Sequence, residues 1–334
     1  MTGSSSDASH PHPSTVGITA SASKNIPAGK AAAFVRALRP HQWIKNLLLF
    51  LPLLLAHVVP WHGEEDAKRW LVMGAAFTAF CLAASSVYVL NDLLDVSSDQ
   101  QHRTKRNRPF ASGVLPRSWG PPIALLLLLS AAAICLALSG RFALLLLLYC
   151  LLSNLYSLRL KRLLLVDVFV LAGLYTLRIM AGGEAVDVTV TKWLLAFSIF
   201  LFVSLAFAKR YTELASLQEA GERGAIGRNY RVEDLRIIES VGPASGYLAV
   251  LVLALYINDT TTVISGVLRY YPTPFFLWLL CPLLMYWITR IWFHARRGTL
   301  DDDPILFAMR DRISWMTGIV TVALVVLASI HWNW

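Results

Sequence analysis

The sequence predicts an all-α integral membrane protein with nine membrane-spanning helices. Three observations support this class: 56% of the 334 residues are hydrophobic, only 15% are charged, and the mean hydropathy is +0.55. Such a composition lies far from that of an ordinary soluble domain. Apolar runs recur at short intervals from Phe34 to the C-terminus, so we expect one continuous membrane domain over residues 31–334.

Composition also sets the N-terminal residues apart and argues against several kinds of site. Residues 1–30 are rich in Ser, Pro, Gly and Ala and lack an apolar run long enough for a signal peptide, so we predict a disordered tail. The four cysteines lie in apolar segments without paired spacing, and the eight histidines lack the spacing of metal ligands. We expect neither a disulfide framework nor a transition-metal site.

The nine spans are counted from the apolar runs, because a hydrocarbon core of ~30 Å takes about 20 helical residues. The runs lie at residues 43–59, 70–90, 122–138, 142–158, 163–181, 193–208, 241–257, 274–292 and 313–331. The longest apolar stretch is divided at Ser139-Gly140-Arg141, where we expect a tight hairpin turn.

Basic residues predict the orientation of these spans. Most of the 30 Lys and Arg residues fall in the N-terminal flank and in every second connection. The positive-inside rule places that side, with the N-terminus, in the cytoplasm. An odd number of spans then places the C-terminus outside, and we expect a bacterial-type inner (plasma) membrane.

The stretch "NDLLDVSSDQQHRTKRNRP", residues 91–109, concentrates charge at the end of the second predicted span. If the helix continues, Asp92, Asp95 and Asp99 stand at i, i+3 and i+7, which at ~100° per residue confines them to a stripe of about 60°. Three such carboxylates repel one another, and Mg²⁺ relieves that repulsion. Because Mg²⁺ also binds phosphates, the pattern favours a diphosphate substrate. Asn91 would add a carbonyl ligand or orient a phosphate.

An alternative interpretation of this stretch is a solvated helix end. In that case the aspartates pair with the basic residues that follow them, namely Arg103, Lys105 and Arg106.

Four motifs resemble UbiA-type polyprenyltransferases. They are "RPHQWIKN" at 39–46, the NDxxDxxxD pattern at 91–99, "RPFASG" at 108–113 and "YSLRLKRLLLVD" at 156–167. The resemblance implies a nine-helix UbiA-like bundle with a central cavity that opens toward the cytoplasmic side. It also implies Mg²⁺ as the cofactor.

Within that superfamily, the combination of "RPHQWIKN", "YSLRLK", "LRIMAGG" and "AKRYTEL" most resembles the decaprenyl-phosphate phosphoribosyltransferases. Many aromatic prenyltransferases of the superfamily carry a second acidic pair after the fourth helix, whereas this sequence has only Asp167 there. The resemblance therefore implies transfer of 5-phosphoribose from phosphoribosyl diphosphate to a polyprenyl phosphate, with release of diphosphate, for a lipid-linked pentose donor in cell-wall or polysaccharide synthesis. The net charge of +9 is compatible with such anionic substrates.

Two other functions stay open. One is an aromatic prenyltransferase that moves a polyprenyl group from its diphosphate to an acceptor such as 4-hydroxybenzoate. The other is a transporter, which would place ionisable residues in the middle of several helices. We expect no nucleic-acid partner, and a homo-oligomer is among the open assembly states.

The candidate site combines the motif residues with cations near the span ends. Lys45 stands out because an ionisable group inside an apolar helix is costly and by default functional. The candidate catalytic residues are Asp92, Asp95, Asp99, Lys45, Tyr156, Lys161 and Asp167, of which the first three are the metal ligands. The candidate substrate-binding residues are Arg39, Asn91, Arg103, Lys105, Arg108, Lys209 and Arg210.

Three further segments carry weaker expectations. The charged connection from Lys209 to Arg236 is expected to begin with a lid over the site. Asp301 to Asp303 are expected to cap a helix rather than bind a metal, since consecutive acids point in different directions. The sequence leaves open whether Arg178 faces the interior or extends outward.

Overall fold

The computed structural model describes residues 29–55, 63–101, 105–221, 224, 228–259, 271–300 and 303–330. Within these ranges the regular secondary structure is helical, turns and loops connect the helices, and one isolated bridge joins Gly224 and Arg231. Eight of the helical stretches are long and apolar enough to cross a membrane: Glu64–Leu94, Arg117–Cys135, Gly140–Leu158, Val166–Ala185, Lys192–Glu219, Val232–Asn258, Phe275–Arg296 and Arg312–Ser329. The predicted all-α, multi-pass class is confirmed.

The α-helices of the described ranges are numbered in chain order. They are α1 Lys30–Leu38, α2 Leu51–Leu55, α3 Glu64–Leu94, α4 Val96–Gln101, α5 Gly120–Cys135, α6 Gly140–Leu158, α7 Val166–Ala185, α8 Lys192–Glu219, α9 Leu235–Asn258, α10 Phe275–Trp278, α11 Leu280–Arg296, α12 Pro304–Arg310 and α13 Arg312–Ser329. A long 3₁₀ helix, Pro40–Phe50, precedes α2.

The first predicted span differs most from expectation. Residues 40–50 form a 3₁₀ helix that follows Arg39, whose φ of 52° is left-handed, and Pro40 begins it because a proline needs no N–H at that position. Helix α2 continues it to Leu55, and residues 56–62 lie outside the described ranges, as do residues 1–28 of the predicted tail. The ninth membrane-spanning helix therefore stays a prediction.

The predicted hairpin between the third and fourth spans is confirmed. Helix α5 ends at Cys135 and α6 begins at Gly140. The Ser139 hydroxyl accepts a hydrogen bond from Phe142 N at 3.1 Å and donates one to Glu184 O at 2.9 Å. Ser139 thus caps α6 and ties the turn to the end of α7.

Helix α8 is longer than its apolar run. The run ends near residue 208, yet the helix continues through Lys209 to Glu219 because neither glycine nor proline interrupts it. Residues 209–219, where we expected the connection and its lid to begin, therefore extend a membrane helix. The lid role stays a prediction.

Close backbone contact fixes the 3₁₀ segment against α7. A Cβ added at Gly182 would lie 2.0 Å from Leu49 O, so only glycine fits there. One turn earlier, Arg178 is buried, at 5% exposure, and donates to Asn46 Oδ1 at 2.9 Å and Tyr149 Oη at 3.1 Å. Arg178 therefore faces the interior and joins the 3₁₀ segment, α6 and α7.

Candidate active site

The aspartate motif lies where α3 passes into α4. Helix α3 ends at Leu94, Asp95 adopts φ −93° and ψ 6°, and α4 resumes at Val96. The backbone bonds Asp95 N to Asn91 O, 2.9 Å, and Asp99 N to Asp95 O, 2.7 Å, carry the helical pattern through the junction. These hydrogen bonds confirm the expectation that the helical pattern continues from Asn91 to Asp99.

Two of the three aspartates share one cation. The Arg108 guanidinium donates from Nη1 to Asp99 Oδ2 at 2.7 Å and to Asp92 Oδ1 at 3.3 Å. Arg39 Nη2 donates to the same Asp92 oxygen at 2.5 Å. Asp92 and Asp99 are only 2% and 3% exposed, so these charges are held in a buried, neutralising network.

Asp95 departs from the expected grouping. Its side chain is 40% exposed, and its Oδ1 lies 3.7 Å from Lys161 Nζ in the connection after α6. At ~100° per residue Asp95 is ~60° from Asp92 whereas Asp99 is only ~20° from it, which accounts for the different neighbours. Across the described residues, no three His, Cys, Asp or Glu side chains converge closely enough to hold a metal ion.

A small cavity adjoins Asp95. Its volume is about 190 Å³, and Asn91, Leu94, Asp95, Ser157, Leu158, Lys161 and Arg162 line it. The buried Asn91 Oδ1 accepts no hydrogen bond. An unsatisfied carbonyl oxygen beside a carboxylate is a suitable donor set for hydrated Mg²⁺, which needs only one or two carboxylates when phosphates and waters complete its shell.

The partners shown for Asp92 and Asp99 are not the basic residues that the solvated-end interpretation named. The described ion pairs of Asp92 and Asp99 are made by Arg39 and Arg108, whereas Lys105 and the neighbouring Arg106 are exposed in the loop. Arg103 lies outside the described residues.

A second charged cluster gathers around Asp303. Lys45 Nζ donates to Asp303 Oδ2, and Lys209 Nζ lies 3.6 Å from the same oxygen. Asp303 Oδ1 accepts from Ile305 N at 3.1 Å, which confirms the expected helix cap. Burial raises the pKa of Asp303, but the ammonium groups of Lys209 and Lys45 outweigh it and hold that pKa at about 2. No sequence pattern predicted this contact.

A third cluster surrounds Asp167 at the start of α7. Asp167 Oδ2 lies 2.9 Å from Arg210 Nε, and Tyr230 donates to Asp167 Oδ1 at 2.7 Å. Arg210 also pairs with Glu213. Tyr156 lies beside Arg210. Asp167 and Arg210 are therefore engaged with each other inside the protein rather than with the cavity at Asn91.

These three clusters lie at the same end of the helix bundle. Asp95 and Lys161 join the end of α3 to the connection after α6, and Asp167 and Arg210 join the start of α7 to α8. Lys209 and Asp303 join α8 to the start of α12. The fold and its site define a multi-pass membrane protein with a polar, ionised centre at one end of the bundle.

Comparison with known proteins gives the family. Residues 49–316 match the model of the UbiA prenyltransferase family, and the chain belongs to that family. It is a transferase, as the resemblance implied.

Two kinds of relative are similar in sequence. The nodulation protein NoeC of Azorhizobium caulinodans is 36% identical over 281 residues, which cover 83% of this chain and 87% of NoeC. The decaprenyl-phosphate phosphoribosyltransferase of Mycolicibacterium smegmatis is 35% identical over 205 residues, 61% of this chain and 63% of that enzyme. The match thus spans less than two thirds of the phosphoribosyltransferase.

The fold has solved counterparts. A UbiA homologue from Archaeoglobus fulgidus, bound to GPP and Mg²⁺, superposes with a TM-score of 0.63 at 16% identity over 89% of this chain and 98% of that one. A digeranylgeranylglyceryl phosphate synthase has a TM-score of 0.60 at 13% identity. At such identities the likeness establishes the UbiA-like fold.

Proposed function

We propose that this protein transfers 5-phosphoribose from phosphoribosyl diphosphate to a polyprenyl phosphate and releases diphosphate. The observation that carries the proposal is the burial of Asp167 against Arg210 and Tyr230. A second metal cluster of the aromatic prenyltransferase type would need free carboxylates at this place. In the connection over residues 159–167, Asp167 is a single acid rather than one of a pair, and Arg210 and Tyr230 enclose it. This favours a donor other than a prenyl diphosphate held by two acidic motifs.

Two further observations support the proposal. Sequence relatives at 35% identity carry the name decaprenyl-phosphate phosphoribosyltransferase. The site also contains more cations than a single diphosphate requires: Arg39, Lys45, Arg108, Lys161, Arg162 and Lys209. A diphosphate, a 5-phosphate and a lipid phosphate meet in the proposed reaction, and cations lower their mutual repulsion.

The acidic motif would bind the donor. When bound by Asn91, Asp92, Asp95 and Asp99, Mg²⁺ would neutralise charge on the diphosphate as the anomeric C–O bond breaks. Arg39 and Arg108 orient the motif carboxylates, and Lys161 contacts phosphate oxygens at the cavity. Arg210, which is enclosed by Asp167 and Glu213, positions the start of α7 rather than touching substrate.

The lipid would supply the nucleophile. A phosphate monoester is already ionised at neutral pH, so its oxygen attacks the anomeric carbon without a strong general base. The polyprenyl tail lies among apolar helices and the phosphate lies at the charged end of the bundle. Catalysis then rests on positioning and on charge neutralisation.

The proposed topology follows from the substrates. We place the charged end of the membrane domain, residues 31–334, in the cytoplasm of a bacterial-type cell, where soluble phosphoribosyl diphosphate reaches it. The N-terminus is then cytoplasmic, and a central cavity between the helices opens to that side.

A direct transfer assay tests the function. Purified protein in detergent is given Mg²⁺ with labelled phosphoribosyl diphosphate and polyprenyl phosphate, or with polyprenyl diphosphate and 4-hydroxybenzoate. We expect label in lipid from the first mixture and no product from the second. Asp92→Ala abolishes transfer, while Glu65→Gln at the far end of the same helix retains it. Product from the second mixture alone would overturn the proposal in favour of aromatic prenylation.

A further inference from the structure

A short segment near the C-terminal end is held by an ion pair at each end. We define the strap as residues 303–311, which contain α12. At one end Asp303 meets Lys45 of the 3₁₀ segment and Lys209 of α8. At the other end Asp311 accepts two hydrogen bonds from the Arg290 guanidinium, at 2.6 and 2.9 Å. The strap therefore links three parts of the bundle beside the candidate site.

Within the described part of the chain, the first of these ion-pair clusters is not balanced in charge. Two ammonium groups face the single carboxylate of Asp303, and within the described residues neither lysine forms another ion pair. The same excess of positive charge acts on the nearby His41. Burial lowers the pKa of His41 most, and the positive charges of Arg39, Lys45 and Arg310 lower it further. Among the described residues one positive charge is left over, at a place where Lys45 and Asp303 are buried and the Lys209 side chain is 32% exposed. This favours an additional or a more highly charged anion.

Lys45 and Lys209 are arranged like an anion-binding site in which the protein's own Asp303 carboxylate takes the place of the anion. Lys45 and Lys209 come from different helices, and both ammonium groups point at one oxygen of Asp303. Lys45 is 8% exposed and its ammonium group lies 6.0 Å from the centroid of the Tyr175 ring, so it cannot exchange this partner for bulk water without moving. A phosphate monoester carries a charge of about −1.5 to −2 and three acceptor oxygens, which match two lysines better than one carboxylate does.

The strap is suited to release at this end. Helix α12 has seven residues, and helices this short are marginal without tertiary contacts. Asp303 both caps α12 through Ile305 N and anchors it through the two lysines. Loss of the lysine contacts would therefore loosen the first turn of the strap, while Arg290 still holds Asp311.

We propose that Lys45 and Lys209 form a binding site for a phosphate monoester, which Asp303 fills in the ligand-free protein, and that arrival of the phosphate displaces Asp303 and frees that end of the strap. The inference rests on the proposed function for the choice of ligands, because both the ribose 5-phosphate group and the lipid phosphate have this chemistry. The site is separate from the cavity at Asn91, Asp95 and Lys161. It thus couples occupancy of the site to the position of the strap.

Hydrogen exchange tests the inference without turnover. The full-length protein in detergent is incubated with ribose 5-phosphate, with farnesyl phosphate, or with sodium chloride at equal ionic strength, and exchange of the strap amides is followed by mass spectrometry. We expect at least one phosphate to accelerate exchange about tenfold over the salt control, which removes general screening as the cause. Response to ribose 5-phosphate assigns the site to the donor, and response to farnesyl phosphate assigns it to the acceptor.

Two variants at the strap ends sharpen this test. Asp303→Asn is expected to exchange quickly without ligand and to lose the response to phosphate. Asp311→Asn loosens the other end but keeps the lysines paired, so its response to phosphate should persist. Slow exchange in Asp303→Asn, or no response of the wild-type protein to either phosphate, overturns the inference. If phosphate accelerated exchange of the strap amides in a protein that shows no phosphoribosyl transfer, the phosphate site at Lys45 and Lys209 would stand and only the proposed function would be rejected.

Discussion

Arg210 Nε lies 2.9 Å from Asp167 Oδ2, and neither side chain reaches solvent. Removal of one partner leaves a buried charge without compensation, which typically costs about 3–5 kcal/mol. We predict that Arg210→Met lowers the thermal stability of the purified protein sharply. The double variant Asp167→Asn/Arg210→Met should recover part of that loss because it removes both charges.

A matched control exists on the surface. Arg296 and Glu239 form an exposed pair at 2.5 Å, and Arg296→Met should change the unfolding temperature little. If Arg210→Met were as stable as this control, the Asp167 cluster would have no structural role.

The metal prediction concerns Asp92. We expect Asp92→Asn to reduce Mg²⁺-dependent transfer by about 100-fold and to raise the Mg²⁺ concentration needed for half-maximal rate. EDTA should abolish transfer by the wild-type protein, and added Mg²⁺ should restore it. Glu65→Gln, exposed on the same helix, serves as the control. An unchanged Mg²⁺ titration in Asp92→Asn would rule out this aspartate as a ligand.

Lys161 is predicted to bind the donor. It lines the 190 Å³ cavity and lies 3.7 Å from Asp95. Loss of one charge-assisted contact should raise the KM for phosphoribosyl diphosphate roughly tenfold in Lys161→Met, with a smaller effect on kcat. Lys68→Met, on an exposed site near the start of α3, should leave both constants unchanged. Equal KM values in the two variants would contradict the assignment.

The Asp303 cluster gives a pH prediction. The pKa of Asp303 is about 2 in the folded protein and near 3.8 when unfolded, so its stabilisation is complete above about pH 4 and is lost as the pH falls through 2. The shift corresponds to about 2 kcal/mol. The stability difference between the wild-type protein and Asp303→Asn should stay constant from pH 7 to 5 and shrink between pH 4 and 2. A difference that disappears between pH 7 and 5 would contradict this pKa.

Arg178 is predicted to hold the 3₁₀ segment in place. Arg178→Met leaves Asn46 Oδ1 without its donor inside the bundle, which costs about 1–3 kcal/mol. Thermal unfolding in detergent should show the loss, and Arg178→Lys should recover only part of it because lysine lacks the planar fork. A fully stable Arg178→Met would show that the segment is held by Gly182 and its apolar neighbours alone.

Much of the fold was predictable because apolar length alone marks a membrane helix. The hairpin at Ser139 followed from the excess length of one run, and all eight described spans overlap predicted ones. The extension of α8 to Glu219 was not predicted because hydropathy marks only the apolar part of a helix. The polar residues that follow still favour a helix, but they give no hydropathy signal. The 3₁₀ geometry after Arg39 was also missed, as no local residue pattern distinguishes it from an α-helix.

The site was predictable in part. Helical spacing correctly placed Asp92 and Asp99 on one side, where Arg108 reaches both. It did not predict Arg39 as a partner of Asp92, because the two are 53 positions apart and only the packing of α1 and α3 brings them together. Asp303 was recognised as a cap, yet its contact with Lys45 depends on the whole bundle.

The contact between Lys45 and Asp303 also sets an order of events during biosynthesis. The two residues are 258 positions apart. At ~5–20 residues per second, roughly 13–50 s pass between synthesis of the lysine and synthesis of its partner. For that time the nascent chain carries a cation at the edge of the lipid with no counter-charge from the strap. Contacts with Arg178 and Gly182 of α7 can therefore form first, and the ion pair of Lys45 can form only after the strap has been synthesised.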